Sequence, residues 1–133
     1  MNNKSKKILA EISAGELLDK LTILEIKLHK IENLEKKKVI KKEIMTLKKV
    51  SDKCIDINAD VTLQYNLLKK TNEKLWLIED KIRILEKEKN FDKEFIELAR
   101  SVYITNDERF KIKSKINMLM DSNIKEIKEY TDY

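Results

Sequence analysis

One glycine, Gly15, and no proline occur in 133 residues, and this scarcity of chain breakers constrains the fold more than any motif does. Hairpins, barrels and βα loops draw on glycine for left-handed backbone and on proline for preset turns. A chain almost without either must turn seldom and run long between turns. Charged residues make up 40% of it, which suits helices with solvated faces and disfavours all-β and α/β arrangements. The length predicts a single helical domain over 1–133 with one core.

The formal charge is +5, yet lysines supply 26 of the 29 basic residues. Abundant lysine, isoleucine and asparagine beside scarce arginine, glycine and proline is the imprint of an AT-rich genome. Acidic residues alternate with the lysines along most segments, as on faces carrying weak surface pairs. Nucleic-acid binding is therefore disfavoured, because it needs the basic residues gathered on one face. Cys54 is the only cysteine, so no disulfide framework or cysteine zinc site can form within the chain. The segment Met1–Lys7 is polar and basic, and no apolar run of signal-peptide or membrane-spanning length follows. A cytoplasmic protein with no membrane association is expected.

Residues 1–7 lack periodicity and read as a disordered arm. Ser13-Ala14-Gly15-Glu16 is a capping box that starts the first helix, in which Leu17, Leu21, Leu24, Leu28 and Ile31 recur at fours and threes. The phase then jumps between Glu32 and Lys36 to a new seam at Ile40, Ile44 and Leu47, the mark of a turn made without glycine. Residues 14–52 thus form a first hairpin. Ser51 to Asp60 reads as the one substantial interior loop, with Asp60 or Thr62 capping the next helix. A second, longer, coiled-coil-like hairpin follows over 60–121, turning at Asn90-Phe91-Asp92, with Asp92 as cap. Its second helix keeps an unbroken spacing through Phe95, Leu98, Val102, Thr105, Arg109, Ile112, Ile116 and Leu119. Thr105-Asn106-Asp107-Glu108 offers a competing cap at which that helix would break. The fold class is all-α: four antiparallel helices as two hairpins.

The long hairpin holds Trp76 and all three arginines, Arg83, Arg100 and Arg109. If it turns at Asn90, residues whose numbers sum to about 181 face each other. Asn72 then faces Arg109, Trp76 faces Thr105, and Glu79 lies near Arg100, Ser101 and Tyr103. Asn72 and Arg109 fall on core positions, where polar groups need partners. Asp107, Glu108, Asn72, Asp19 and Glu25 are candidates for Arg109. Such a cluster is either a polar layer fixing register or a pocket for an anion built from Asn72, Arg100, Tyr103 and Arg109, since guanidinium forks suit carboxylates and phosphates. In an enzyme, Glu79, Asp80 or Asp19 would serve as acid or base. His29 is the only histidine, which excludes a carboxylate-bridged di-metal bundle site. The pairs Glu16/Asp19, Glu94/Glu97 and Glu126/Glu129 have a spacing that suits magnesium but is common by chance, and no metal or cofactor is expected.

Three blocks, Ile12–Lys27, Leu75–Arg83 and Glu97–Arg109, together resemble a family of small uncharacterised bacterial all-helical proteins, a domain-of-unknown-function family. The similarity runs from Ile12 to Tyr133. It implies that Asp19, Lys20, Glu25, Asn72, Trp76, Glu79, Asp80, Arg83, Arg100, Tyr103, Asn106, Asp107 and Arg109 act together, in packing or in function. It also implies an association with surface-polysaccharide biosynthesis. A fainter similarity to small helical chorismate mutases is limited by arginine positions that do not match and by a first helix without any.

The leading functional expectation is a non-catalytic interaction or accessory module with a protein partner. A homodimer is expected as well, because a long hairpin overhanging a short one leaves apolar seam uncovered. The alternative is a small helical enzyme or sensor that takes an anionic small molecule through Arg100 and Arg109. Asn72, Glu79, Arg83, Tyr103, Asn106 and Asp107 would complete its site, with Asp19, Lys20 and Glu25 contributing from the first helix.

Overall fold

The computed structural model describes residues 5–133, and regular structure within them consists of four helices. These are α1 (Ala14–Lys30), α2 (Leu34–Cys54), α3 (Ala59–Lys87) and α4 (Lys93–Leu119), with no strand among the described residues. The arm expected over 1–7 lies outside the described residues for 1–4, and residues 5–13 carry no regular structure. No helix among the described residues is long and apolar enough to cross a membrane.

Side-chain caps do the work that glycine and proline leave undone. Ser13 Oγ accepts the Glu16 amide at 3.1 Å and opens α1. The reciprocal half of the expected capping box is absent, because the Glu16 carboxylate accepts from Lys113 Nζ at 2.8 Å. Asn33 caps α2 through the Lys36 amide, and Asn58 caps α3 through the Val61 amide, at 3.0 and 2.9 Å. Asp92 occupies the cap position of α4 without a side-chain cap bond.

Two expectations are corrected here. The interior loop is residues 55–58 rather than 51–60, because Ser51 continues the Ile40–Ile44–Leu47 seam inward and is 3% exposed, so α2 runs on to Cys54. Asn58, not Asp60 or Thr62, caps α3, since its side chain stands three residues before a free amide, the reach an N-cap needs. α4 is continuous through Thr105 and ends at Leu119, two residues before the expected Asp121.

α3 and α4 both end on a left-handed residue that is not glycine, Lys89 at φ 56° and Asp121 at φ 48°. In each case two backbone bonds close the end: Asn90 N–H to Leu85 O with Lys89 N–H to Glu86 O, and Ser122 N–H to Asn117 O with Asp121 N–H to Met118 O. This 6→1 and 5→2 pairing satisfies carbonyls that would otherwise be orphaned, and it offsets the strain of a side chain in that conformation.

The core gathers Leu17, Leu18 and Leu21 of α1 with Ile55, Val61, Leu68 and Ile116. It lies where α1 crosses the first half of α3 and the second half of α4. At Gly15 the backbones of α1 and α4 approach closely: a Cβ there would stand 2.6 Å from the Lys113 carbonyl oxygen. α1 closely approaches α2, α3 and α4, and α3 and α4 pack along each other, while α2 closely approaches α1 alone. Partners run in opposite order along α1 and α4, Gly15 with Asn117, Glu16 with Lys113, and Asp19 with Arg109.

Candidate functional site

Asp19, 1% exposed on α1, is the centre about which the polar residues of three helices are placed. Arg109 of α4 grips it with two donors, Nε to Oδ1 at 2.9 Å and Nη2 to Oδ2. Asn72 of α3, 6% exposed, donates its amide to Asp19 Oδ1 at 2.9 Å and to Thr22 Oγ1 at 2.8 Å. Thr22 in turn donates to the Asp19 backbone carbonyl. The expected meeting of Asn72 and Arg109 therefore occurs on a third residue, of the first helix.

Lys113 lies one turn beyond Arg109, 7% exposed, and its ammonium sits 2.8 Å from Glu16, 3.8 Å from Asp19 and 3.1 Å from Glu126. Burial pulls the Lys113 pKa down, but the Glu16, Asp19 and Glu126 carboxylates outweigh it and leave the group raised. The Asp19 carboxylate holds the Arg109 guanidinium above its ordinary value, against a smaller opposing effect of burial. The Glu16/Asp19 spacing read as suited to magnesium thus faces two cations of the chain itself. A dry ion pair of this kind is maintained by geometry rather than by attraction alone, since desolvation cancels most of the Coulomb gain.

Beside this layer is a cleft of about 460 Å³. Ile23, Ile26, Leu75 and the half-buried Trp76 give it an apolar floor. Asn72, Asn106, Arg109, Glu79, Asp80 and Arg83 stand around that floor. Arg109 Nη1 reaches only Asn106 Oδ1, at 3.4 Å, and Arg83 Nε bridges to Glu79 at 3.3 Å.

Of the residues expected in one site, Asn72, Glu79, Arg83, Asn106 and Arg109 meet here. Tyr103 and Asp107 hold the C-terminal segment against α4, and with Asn106 and Arg109 they line a second cleft, of about 1440 Å³, between that segment and the helix. Tyr133 stacks edge-on with Tyr103 and donates to Asp107, and Lys128 pairs with Asp107 at 2.9 Å. The bond from the Tyr133 phenol, and then Lys128, keep the Asp107 carboxyl below its ordinary value, while the same bond raises Tyr133 to about 12. Arg100 is exposed and lines neither place, so it stands apart from Arg109 and Tyr103, which both line the cleft beside the C-terminal segment. Helix periodicity explains this: Arg100 stands nine residues before Arg109 and so projects from the opposite side of α4. Lys20 is exposed, and Glu25 accepts from the Tyr65 phenol at 2.6 Å and pairs with Lys69 at 3.2 Å.

Thr22, Lys113 and Glu126 are members of the layer that the sequence reading did not assign to it. The signal available was two acids three apart on α1 and two bases four apart on α4, each pair on one helical face. A family model described as a family of unknown function (DUF6165) matches residues 8–132. No curated protein and no solved structure matches the chain.

Proposed function

The chain belongs to this family of unknown function, and we propose that it is a helical interaction module that works as a homodimer through the outer side of α3 and α4. The reading takes the chain as two antiparallel hairpins, α1 with α2 and α3 with α4, the second overhanging the first. The observation that carries it is exposed area. The chain exposes 10496 Å² at 15.8 kDa, where a compact monomer of that mass exposes about 7300 Å². Part of the excess belongs to the irregular segments 5–13 and 122–133, and the apolar share on α3 and α4 is carried by Leu77, Ile84 and Ile104.

Helical phase identifies the face. Asn72, Trp76, Glu79, Asn106 and Lys113 stand one residue after the α3/α4 seam and meet α1 or the cleft it borders. Leu77, Ile84 and Ile104 stand one residue before the seam, on the opposite side, and are 51%, 55% and 36% exposed. The same side carries Lys74 and Lys81 on α3 and Glu97, Arg100 and Glu108 on α4. A two-fold axis along the hairpin lays α3 of one copy on α4 of the other. Leu77 then meets Ile104, with Lys74 near Glu108 and Lys81 between Glu97 and Arg100, so the apolar centre is self-complementary.

Light scattering on the eluting protein tests the reading. The wild type is expected at twice 15.8 kDa, and Leu77→Glu with Ile104→Glu at the monomer mass with unchanged helical circular dichroism. A wild-type chain that stays monomeric at every concentration overturns it.

A further inference from the structure

We propose that the cleft beside Trp76 binds an alkylammonium group, with the apolar stem of the ligand on the floor and its cationic head toward Asp80, Glu79 and Asn72. The inference adds a ligand to the module and does not depend on its oligomeric state, since the cleft lies on the α1 side of the α3/α4 pair.

The residues that would draw an anion are already engaged. Arg109 spends its Nε and Nη2 donors on the buried Asp19 carboxylate, and Arg83 turns back on Glu79 Oε2, which leaves the other Glu79 oxygen unbonded among the described residues. What remains open toward the cleft is acceptor capacity. Asp80 is exposed and has no ion-pair partner among the described residues, and it borders the cleft. Asn72 is 6% exposed and uses its amide nitrogen twice, while its side-chain oxygen accepts no bond among the described residues and is not among their fully enclosed unpartnered atoms. A cleft-lining residue so placed offers that oxygen to an occupant. Among the lining residues two carboxylates, Glu79 and Asp80, balance two guanidiniums, Arg83 and Arg109, and Arg109 is held by the Asp19 carboxylate behind it, so the cleft carries no net positive charge on a chain whose formal charge is +5.

The floor fits the other half of such a ligand. Ile23, Ile26 and Leu75 give an alkyl stem an apolar bed, and Trp76 beside them is the aromatic residue best suited to attract a cation. At about 460 Å³ the cleft has the size of small-ligand sites. A free amine and a lysine side chain presented by a partner share this chemistry.

Trp76 is the only tryptophan, so its fluorescence reports the cleft alone. Titration with cadaverine and, separately, with lysine blocked at both backbone ends is expected to give a saturable change. Saturation by cadaverine only assigns a free amine, and saturation by both assigns a side chain on a partner. Asp80→Asn and Glu79→Gln alter exposed or half-exposed groups and leave the core intact. Each is expected to weaken binding roughly tenfold, the scale of one charge-assisted contact. No saturable change with either amine up to about 10 mM overturns the proposal. So does unchanged affinity in both variants, or saturation by citrate or phosphate in place of the amines.

Discussion

Asp19 is the residue whose removal tests the polar layer most directly. Its carboxylate pairs with Arg109 and accepts from Asn72, and truncation would leave the guanidinium without its counter-charge and Asn72 with Thr22 alone. Asp19→Ala is expected to cost about 3–5 kcal/mol in urea unfolding, whereas Asp19→Leu combined with Arg109→Met is expected to recover most of that loss. A double variant as unstable as the single one would show that the pair is worth more than its geometry. Thr105 points the other way: its hydroxyl is buried and unpartnered among the described residues, so Thr105→Val, of equal shape, is expected to stabilise by about 1 kcal/mol. Gly15 has no such freedom. Its amide donates to Asn117 Oδ1 at 2.7 Å, and a Cβ would meet backbone that cannot swing away. Gly15→Ala is therefore expected to lose about 1–3 kcal/mol by equilibrium unfolding, although alanine is the better helix former. That Asn72 and Arg109 sit on core positions was legible in the sequence, because polar residues stood where the period called for apolar ones. Their partner was not, since Asp19 lies far away in the chain and only the crossing of α1 over α3 and α4 selects it from the other acids.

Helix identity was legible for a plain reason: long apolar periods survive averaging over many residues, and every one of the four appears within a few residues of its expected bounds. Ends were less legible, because they rest on single side chains. A serine in phase, Ser51, looked like a loop residue, and an asparagine, Asn58, outcompeted the acid and the threonine beside it. The Asn90 turn was found in the right place, but its device was hidden: the left-handed backbone falls on Lys89, which no composition rule would choose. This makes the α3 end improvable. Lys89→Gly removes the Cβ penalty while keeping both closing hydrogen bonds, and is expected to raise stability by about 1 kcal/mol, visible as a higher melting temperature. An unchanged or lower value would mean that the lysine side chain contributes more than its backbone costs.

For the whole molecule, size and shape set the terms. A chain of 133 residues can bury one core, and here that core sits where α1 crosses α3 and α4; in the proposed two-hairpin arrangement the rest of α3 and α4 has only its own seam to bury. Leu77, Ile84 and Ile104 are left in water by the same crossing that gives Asp19 its partners. If a second copy covers them, folding and association are one equilibrium, and stability must depend on protein concentration. Each tenfold rise in concentration adds RT ln 10, about 1.4 kcal/mol per dimer. Spread over the unfolding entropy of two chains, this raises the melting temperature by roughly 2–3 °C. Calorimetry across three decades of concentration is expected to show that slope for the wild type and none for Leu77→Glu with Ile104→Glu. A melting temperature that ignores concentration in both would place the exposed stripe in water for good, and would leave the overhang held by the α3/α4 seam alone.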